Sequence, residues 1–223
     1  MLGWLAAELT VGVVFLSICR VRRRVYYYRV VALFLIGDLF RTLGGHWGGL
    51  SPGEFGLAYP GTLPQWLGIA SLLAYGSFAL VPMAVLLFSD KQSAKAAGVL
   101  VLADGIIHFL LPVQPPWMTG HAQRWVAQQS FVHVVKQDPN PLAAFPSLHV
   151  ALPASQRWYP LAIVISVAVV LLGEHWVIDV VAGWGMAFAS RAAVARWWPE
   201  SRPAPREAAA AAAVDVAAER AAA

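Results

Sequence analysis

The stretch WLGIASLLAYGSFALVPMAVLLF, residues 66–88, decides the fold class because it contains no Asp, Glu, Lys or Arg. A helix needs about 20 consecutive apolar residues to cross a hydrocarbon core of about 30 Å. The whole chain has the same character: of its 223 residues, 59% are hydrophobic and 13% charged, whereas soluble domains carry about 25% charged residues. We therefore predict an all-α, polytopic transmembrane helical bundle.

Further apolar runs lie on both sides of this stretch and bring the predicted bundle to six or seven spans. Their positions are 2–19, 26–43, 66–88, 97–113, 150–157, 160–173 and 176–195. The count is six if residues 2–19 do not cross. We divide the chain into N-terminal transmembrane helices (1–95), a transmembrane core (96–198) and an Ala-rich, low-complexity tail (199–223).

Basic residues lie between the apolar segments and so predict the topology, because Lys and Arg accumulate in cytoplasmic loops. The net charge of +4 forms no soluble basic patch, so nucleic acid is not an expected partner. The predicted cytoplasmic positions are Arg20, Arg22, Arg23, Arg24, Lys91, Lys95, Arg191, Arg196, Arg202 and Arg206. The loops 44–65 and 114–146 then lie outside. His149 and His175 share the outer face, with no crossing or two crossings between them.

A histidine and a carboxylate stand four residues apart in Gly173-Glu-His175-Trp-Val-Ile-Asp179. On a helix, positions i and i+4 lie on one face and can touch. A carboxylate bonded to one ring nitrogen fixes the tautomer and leaves the other nitrogen as a free lone pair. The alternative is a structural polar pair that ties two helices together.

A second histidine follows in Phe145-Pro-Ser147-Leu-His149, at the start of an apolar run. Pro and Ser suit a helix start, whose unpaired N–H groups can bind phosphate. Alone, the motif is commonly just a helix cap. Two histidines on the same face, however, make an acid and nucleophile pair for phosphoryl transfer. The sequence has no P-loop, GxSxG motif or metal-ligand set beside them.

Three motifs together resemble a known family: Pro115-Pro-Trp117, NPLAAFPSLH (140–149) and GEHWVIDVVAG (173–183). They are similar to those of the type 2 phosphatidic acid phosphatase superfamily, in its inositol-phosphotransferase branch related to inositol-phosphorylceramide synthase. The resemblance covers about residues 104–198. It implies that His175 attacks phosphorus and forms a phosphohistidine, that Asp179 orients His175, and that His149 protonates the leaving alkoxide. It implies no metal ion and no cofactor.

The phosphate-binding residues are less clear from the motifs. Phosphatase members of the family carry a Lys and an Arg-Pro motif, and a Ser-Arg pair ahead of the second histidine. Here Ala168 and Val169 stand near the place of that pair. We expect the phosphate to be bound by Ser147, Arg124, Lys136 and Trp117, with Arg157 as a further candidate cation. Alternatively, these cations are solvated or contact lipid headgroups.

The segment between the two histidines is short, because they are 26 positions apart and two full spans need about 40 residues. Residues 150–157 and 160–173 therefore form either a shallow re-entrant hairpin buried in protein or the remnant of an incomplete family fold.

We predict a lipid phosphatase or phosphotransferase that acts on a lipid-linked phosphate at the extracytoplasmic face of the plasma membrane. Membrane lipids are its expected surroundings, and the sequence does not predict an oligomeric state. One alternative is a non-catalytic membrane protein that retains the motifs. Another is a small proton-coupled transporter that uses Asp104, His108, His175 and Asp179.

Overall fold

The computed structural model describes residues 25–44, 49–128 and 141–199. Seven α-helices form most of this part: α1 (Val25–Gly44), α2 (Gln65–Ser77), α3 (Val81–Phe88), α4 (Lys91–Leu110), α5 (Leu148–Ser155), α6 (Tyr159–Leu171) and α7 (Val177–Trp197). The only β contacts in these ranges are isolated bridges, Leu50 to Val113 and Val113 to Ala143. The predicted all-α class is confirmed here. The predicted span 2–19, the Arg20–Arg24 cluster and the tail beyond 199 lie outside the described residues.

Three stretches of this part are long and apolar enough to cross a membrane: Gln65–Phe88, Lys91–Leu110 and Val177–Trp197. Helix α1 also has 20 residues, but it carries Arg29, Asp38 and Arg41. Helix α6 is apolar and has 13 residues. The count of six or seven spans stays a prediction.

The stretch Gln65–Phe88 is interrupted by a 3-10 turn at Phe78–Leu80. Pro82 lies in the first turn of α3 and has no N–H to donate. In an uninterrupted helix its ring would clash with the carbonyl four residues earlier, that of Phe78. Tyr75 and Phe78, which lie on either side of the start of this turn, both contact the ring of His149.

Helix α4 begins earlier than hydropathy alone predicts. Asp90 caps it, because its carboxylate accepts the N–H of Ser93 at 2.8 Å and the Ser93 hydroxyl at 2.7 Å. Residues 91–96, outside the predicted span 97–113, therefore belong to the helix, and α4 runs across the boundary drawn at 95–96.

Helices α1 and α4 run parallel and in very close contact. A Cβ on Gly37 would meet the carbonyl oxygen of Val101, one on Gly105 would meet that of Gly37, and one on Gly44 would meet that of His108. Only glycine permits this approach of two backbones, so α1 is packed directly against the helix that leads into the Pro115-Pro-Trp117 segment.

Helices α5 and α6 form a short hairpin. With 8 and 13 residues, they reach about 12 Å and about 20 Å at 1.5 Å per residue, less than a hydrocarbon core of about 30 Å. Arg191 of α7 donates to the carbonyl of Ser155 at 2.7 Å, and Gln156 donates to the carbonyl of Ser93 at 3.0 Å. The Arg191 side chain thus satisfies a carbonyl at the C-terminal end of α5, and Gln156 ties the turn of the hairpin to the first turn of α4.

Helix directions follow from the same contacts. Helices α5 and α7 run parallel, because Ser147 contacts Asp179 at their starts and Ser155 contacts Arg191 further along. Helix α4 runs antiparallel to α7, since Lys95 donates to the carbonyl of Trp198 at 3.3 Å. His149 and His175 therefore lie toward one end of the bundle, and Lys95 and Arg191 lie toward the other.

Candidate active site

The imidazoles of His149 and His175 meet directly. Nδ1 of His149 lies 3.1 Å from Nε2 of His175, and the ring centroids are 5.3 Å apart. The short α5–α6 hairpin therefore turns back and does not leave the two rings on opposite sides of the bundle. Two nitrogens at this distance can serve one reacting group, which is the geometric requirement for an acid and a nucleophile in the same reaction.

His175 is positioned by a turn and by a buried tryptophan. Gly173 has φ +76°, the left-handed conformation that commonly ends a helix, and it turns the chain inward after α6. Trp176 is fully buried, and its indole N–H donates to the carbonyl of Gln114 at 2.7 Å. Helix α7 begins only at Val177, so His175 precedes the helix and does not share it with Asp179, unlike the arrangement considered from the sequence.

The nearest partner of His175 Nδ1 is a main-chain oxygen. Nδ1 lies 2.8 Å from the carbonyl of Ala144 and 3.5 Å from Oδ2 of Asp179. The same Oδ2 accepts the N–H of Trp176 at 2.8 Å. A carbonyl can only accept, so Nδ1 carries the proton and Nε2 presents a lone pair. The hydrogen bond between the rings then has His149 Nδ1–H as its donor.

The start of α5 is packed onto α7. The N–H of Ser147 donates to the carbonyl of Asp179 at 3.0 Å, so this amide is not available to a phosphate. A Cβ on Gly183 would lie 2.6 Å from the carbonyl oxygen of Ser147, so glycine is required for the contact. The Ser147 hydroxyl and Oδ1 of Asp179 are buried without a hydrogen-bond partner in the part of the chain that is described.

Two aromatic rings enclose His149, one from the last turn of α2 and one from the 3-10 turn that follows it. Tyr75 stacks on it with centroids 4.6 Å apart and an interplanar angle of 27°, and Phe78 lies 4.4 Å away at 49°. Burial lowers the pKa of His149 well below its ordinary value, and the neighbouring His175 adds to this effect. The motifs did not point to Tyr75 and Phe78, because both lie inside an uncharged apolar run with no spacing that marks a site.

A cavity opens beside the two histidines and is lined in part by Trp117, Arg124 and Glu174. The Arg124 guanidinium lies 4.2 Å from the centre of the Trp117 ring, and its Nε donates to Oε1 of Glu174 at 3.0 Å. Stacking and pairing together hold this cation at the cavity that the two histidines also line. The indole N–H of Trp117 is buried without a hydrogen-bond partner within the described ranges.

Of the residues considered as phosphate ligands, Ser147 is fully buried and does not belong to the lining of this cavity. Two others are not seen at the cavity. Lys136 lies outside the described residues. Arg157 follows the far end of α5 and is exposed there. Within the described ranges, no three His, Cys, Asp or Glu side chains converge as metal ligands would.

Two further pairs of polar side chains lie close together inside the bundle. Nδ1 of His108 lies 3.0 Å from Oδ2 of Asp104, with both side chains 1% exposed. Nε of Arg41 lies 3.2 Å from Oδ1 of Asp38. Neither pair belongs to the lining of the cavity.

Comparison with known proteins supports the superfamily that the three motifs resemble. A family model described as "PAP2 superfamily" matches residues 62–193, more than half of the chain. An uncharacterized protein of Methanocaldococcus jannaschii is 25% identical over 142 residues, which is 56% of this chain and 58% of that protein. The match therefore spans less than two thirds of that relative's length. No solved structure matches the chain.

Proposed function

The chain belongs to the PAP2 superfamily, and on that premise we propose that it is a membrane-embedded phosphatase or phosphotransferase that acts on a lipid-linked phosphate. The observation that carries the proposal is the 3.1 Å approach of His149 to His175, with the His175 tautomer set by the Ala144 carbonyl. Membership of the superfamily and the apolar helices support a phosphatase-type function related to lipids. The finer choice between water and an alcohol as acceptor is part of the proposal.

The reaction begins with the lone pair of His175 Nε2. It attacks phosphorus and forms an N–P bond, while the bond from phosphorus to the leaving oxygen breaks. Protonated His149 gives its proton to that oxygen, so the lipid leaves as a neutral alcohol. Entry of the phosphate separates the two rings, because their nitrogens are in direct contact in its absence.

The second half of the reaction returns the enzyme to its starting state. Water or an acceptor hydroxyl, such as that of an inositol or another lipid head group, attacks the phosphohistidine, and neutral His149 accepts its proton. The N–P bond then breaks, and Nε2 recovers its lone pair. His149 is the acid in the first half-reaction and the base in the second, and His175 is first the nucleophile and then the leaving group. The main-chain carbonyl of Ala144 accepts the Nδ1–H hydrogen bond throughout.

In the proposal, Arg124 binds the negatively charged oxygens of the transferred phosphoryl group. Ser147, Trp117 and Lys136 are further ligands. Most catalysis of phosphoryl transfer comes from positioning and from positive charge around these oxygens. Arg124 is held at the cavity by Trp117 and Glu174, so its remaining N–H groups can meet an anion with little reorganisation.

We expect Arg124→Met to lower kcat/KM about 10- to 100-fold, since a hydrogen bond to a charged group contributes about 1.5–3 kcal/mol. Arg124→Lys keeps the charge but loses the planar guanidinium and its stacking on Trp117, so its kcat/KM should lie between those of the wild type and Arg124→Met. Steady-state kinetics in nanodiscs measure the effect, with Arg196→Met, at the far end of α7, as the matched loss of an arginine. Equal effects of the two Met variants would remove Arg124 from the site.

The proposal places the site on the extracytoplasmic face of the plasma membrane. It is supported by Lys95 and Arg191, which lie at the end of the bundle opposite the histidines, because positive residues favour the cytoplasmic side. In a Cys19→Ser background, Met118→Cys should react with a membrane-impermeant thiol reagent in intact cells. Trp197→Cys should react only after permeabilisation, and the reverse pattern would place the site in the cytoplasm.

The activity itself is tested with purified protein in nanodiscs containing phosphatidic acid, an isoprenyl diphosphate or phosphatidylinositol. Release of phosphate, or transfer to an added alcohol, supports the proposal. No turnover of any of these lipids by the wild-type protein would favour the non-catalytic alternative. A proton flux that survives His175→Ala but is lost in Asp104→Asn would favour the transporter, for which the side chains of Asp104 and His108 lie 3.0 Å apart.

A further inference from the structure

The general acid of the proposed reaction stands between two aromatic rings. Tyr75 is stacked on the imidazole of His149 and Phe78 is tilted against it, with centroid distances of 4.6 and 4.4 Å. Tyr75 lies in the last turn of α2, and Phe78 begins the 3-10 turn that separates α2 from α3.

A general acid must hold a proton when substrate is bound, and the surroundings of His149 oppose this. Burial, the ring of His175 and the more distant Arg41 and His108 all lower the pKa of His149. Aromatic faces act in the opposite direction, because their negative quadrupole attracts a cation placed over the ring. Two such faces on one imidazole favour the imidazolium form in a site that otherwise disfavours it.

We propose that Tyr75 and Phe78 form an aromatic slot that keeps His149 in line with His175 and stabilises its protonated form. The inference rests on the proposed function, because it assigns Tyr75 and Phe78 as positioning residues for the general acid. The slot also accounts for how His149 keeps its orientation when the entering phosphate breaks the hydrogen bond between the two histidines, since stacking contacts remain on its faces.

Charged and titratable groups surround His149 on several elements, including Asp179 of α7 and the Arg124–Glu174 pair at the cavity. His175 faces it from the turn before α7, Arg41 acts on it from α1, and His108, paired with Asp104, acts on it from α4. Helix α6 contributes the apolar Ile165 and Val169 to this region. Substitutions at Tyr75 and Phe78 leave all of these groups in place, so a change in the titration of His149 reports on the slot.

The test compares Tyr75→Leu and Phe78→Leu with two controls. Tyr75→Phe keeps the ring, and Phe88→Leu changes a position on α3 that is 79% exposed.

Activity requires protonated His149, so kcat falls as pH rises through the pKa of His149. Loss of a π face lowers that pKa and moves this limb of the kcat profile to lower pH, by about half to one unit. Tyr75→Phe and Phe88→Leu should leave the limb in place. A lower kcat with an unmoved limb in both Leu variants would reduce the aromatic pair to packing and overturn the inference.

A second readout does not depend on turnover. In protein labelled with ¹⁵N-histidine, the His149 resonances are identified by their loss in His149→Asn, and their midpoint is followed with pH in the full-length chain. A lower titration midpoint of His149 in Tyr75→Leu or Phe78→Leu supports the slot even if no substrate is turned over. A lack of turnover would count only against the proposed function. An unchanged midpoint in folded Leu variants, or a Tyr75→Phe shift as large as that of Tyr75→Leu, would overturn it.

Discussion

His175→Ala should lower phosphoryl turnover by at least about 10⁴-fold, because it removes the atom that forms the covalent intermediate. Nε2 of His175 is the ring nitrogen that carries the lone pair, since Nδ1 donates its proton to the Ala144 carbonyl. Rapid quenching with a ³²P-labelled substrate should trap an acid-labile, base-stable phosphoprotein in the wild type and none in the variant. A labelled His175→Ala protein would assign the nucleophile elsewhere.

His149→Ala is the informative companion, because its deficit should depend on the leaving group. General acid catalysis contributes about 10²–10⁴-fold, and it matters most when the leaving oxygen is a basic alkoxide such as that of a lipid. With a p-nitrophenyl ester, whose leaving group needs no proton, most of the loss in His149→Ala should disappear. His175→Ala should stay inactive on both substrates. The same recovery in both variants would contradict the division of roles.

Gly183→Ala should lower both stability and activity, although alanine is ordinarily the better helix residue. The added Cβ would lie 2.6 Å from the Ser147 carbonyl, so the start of α5 must move away from α7 and take His149 with it. We expect a loss of about 1–3 kcal/mol in stability from overpacking. A misplacement of about 1 Å at a catalytic group can reduce kcat about 10²-fold.

Gly185→Ala is the matched control two residues further along the same helix. A Cβ at Gly185 meets nothing within 4 Å, so this substitution should be neutral or stabilise the helix by up to about 1 kcal/mol. Thermal unfolding in detergent and kcat in nanodiscs separate the two variants. If Gly183→Ala were as active and as stable as Gly185→Ala, the close α5–α7 contact would not position His149.

Several features of the site were predictable from short-range patterns. The Pro-Ser-Leu-His149 and His175-x-x-x-Asp179 motifs singled out the two histidines, and the distribution of Lys and Arg predicted that both lie on one side. Hydropathy predicted α7 within two residues at each end. It missed the first residues of α4, because the Asp90 cap extends a helix into polar sequence and an apolar average does not detect a cap.

Other features had no such signal. The i, i+4 spacing suggested that Asp179 is the partner of His175, but helix α7 begins after His175, and the nearest acceptor is the carbonyl of Ala144. Every residue has a carbonyl, so no residue type could indicate this one. Tyr75 and Phe78 belong to an apolar stretch in which aromatic residues are unremarkable by composition.

The sequence by itself therefore determined the membrane class, the helical content and which two histidines to consider as a pair, because these depend on the composition and spacing of neighbouring residues. Only the tertiary structure decided that a hairpin too short to cross a membrane brings those histidines to 3.1 Å, and which groups set their proton positions. The physical reason is that such contacts join residues far apart in the chain. They depend on how closely helices pack at glycines such as Gly183 and on where each helix begins.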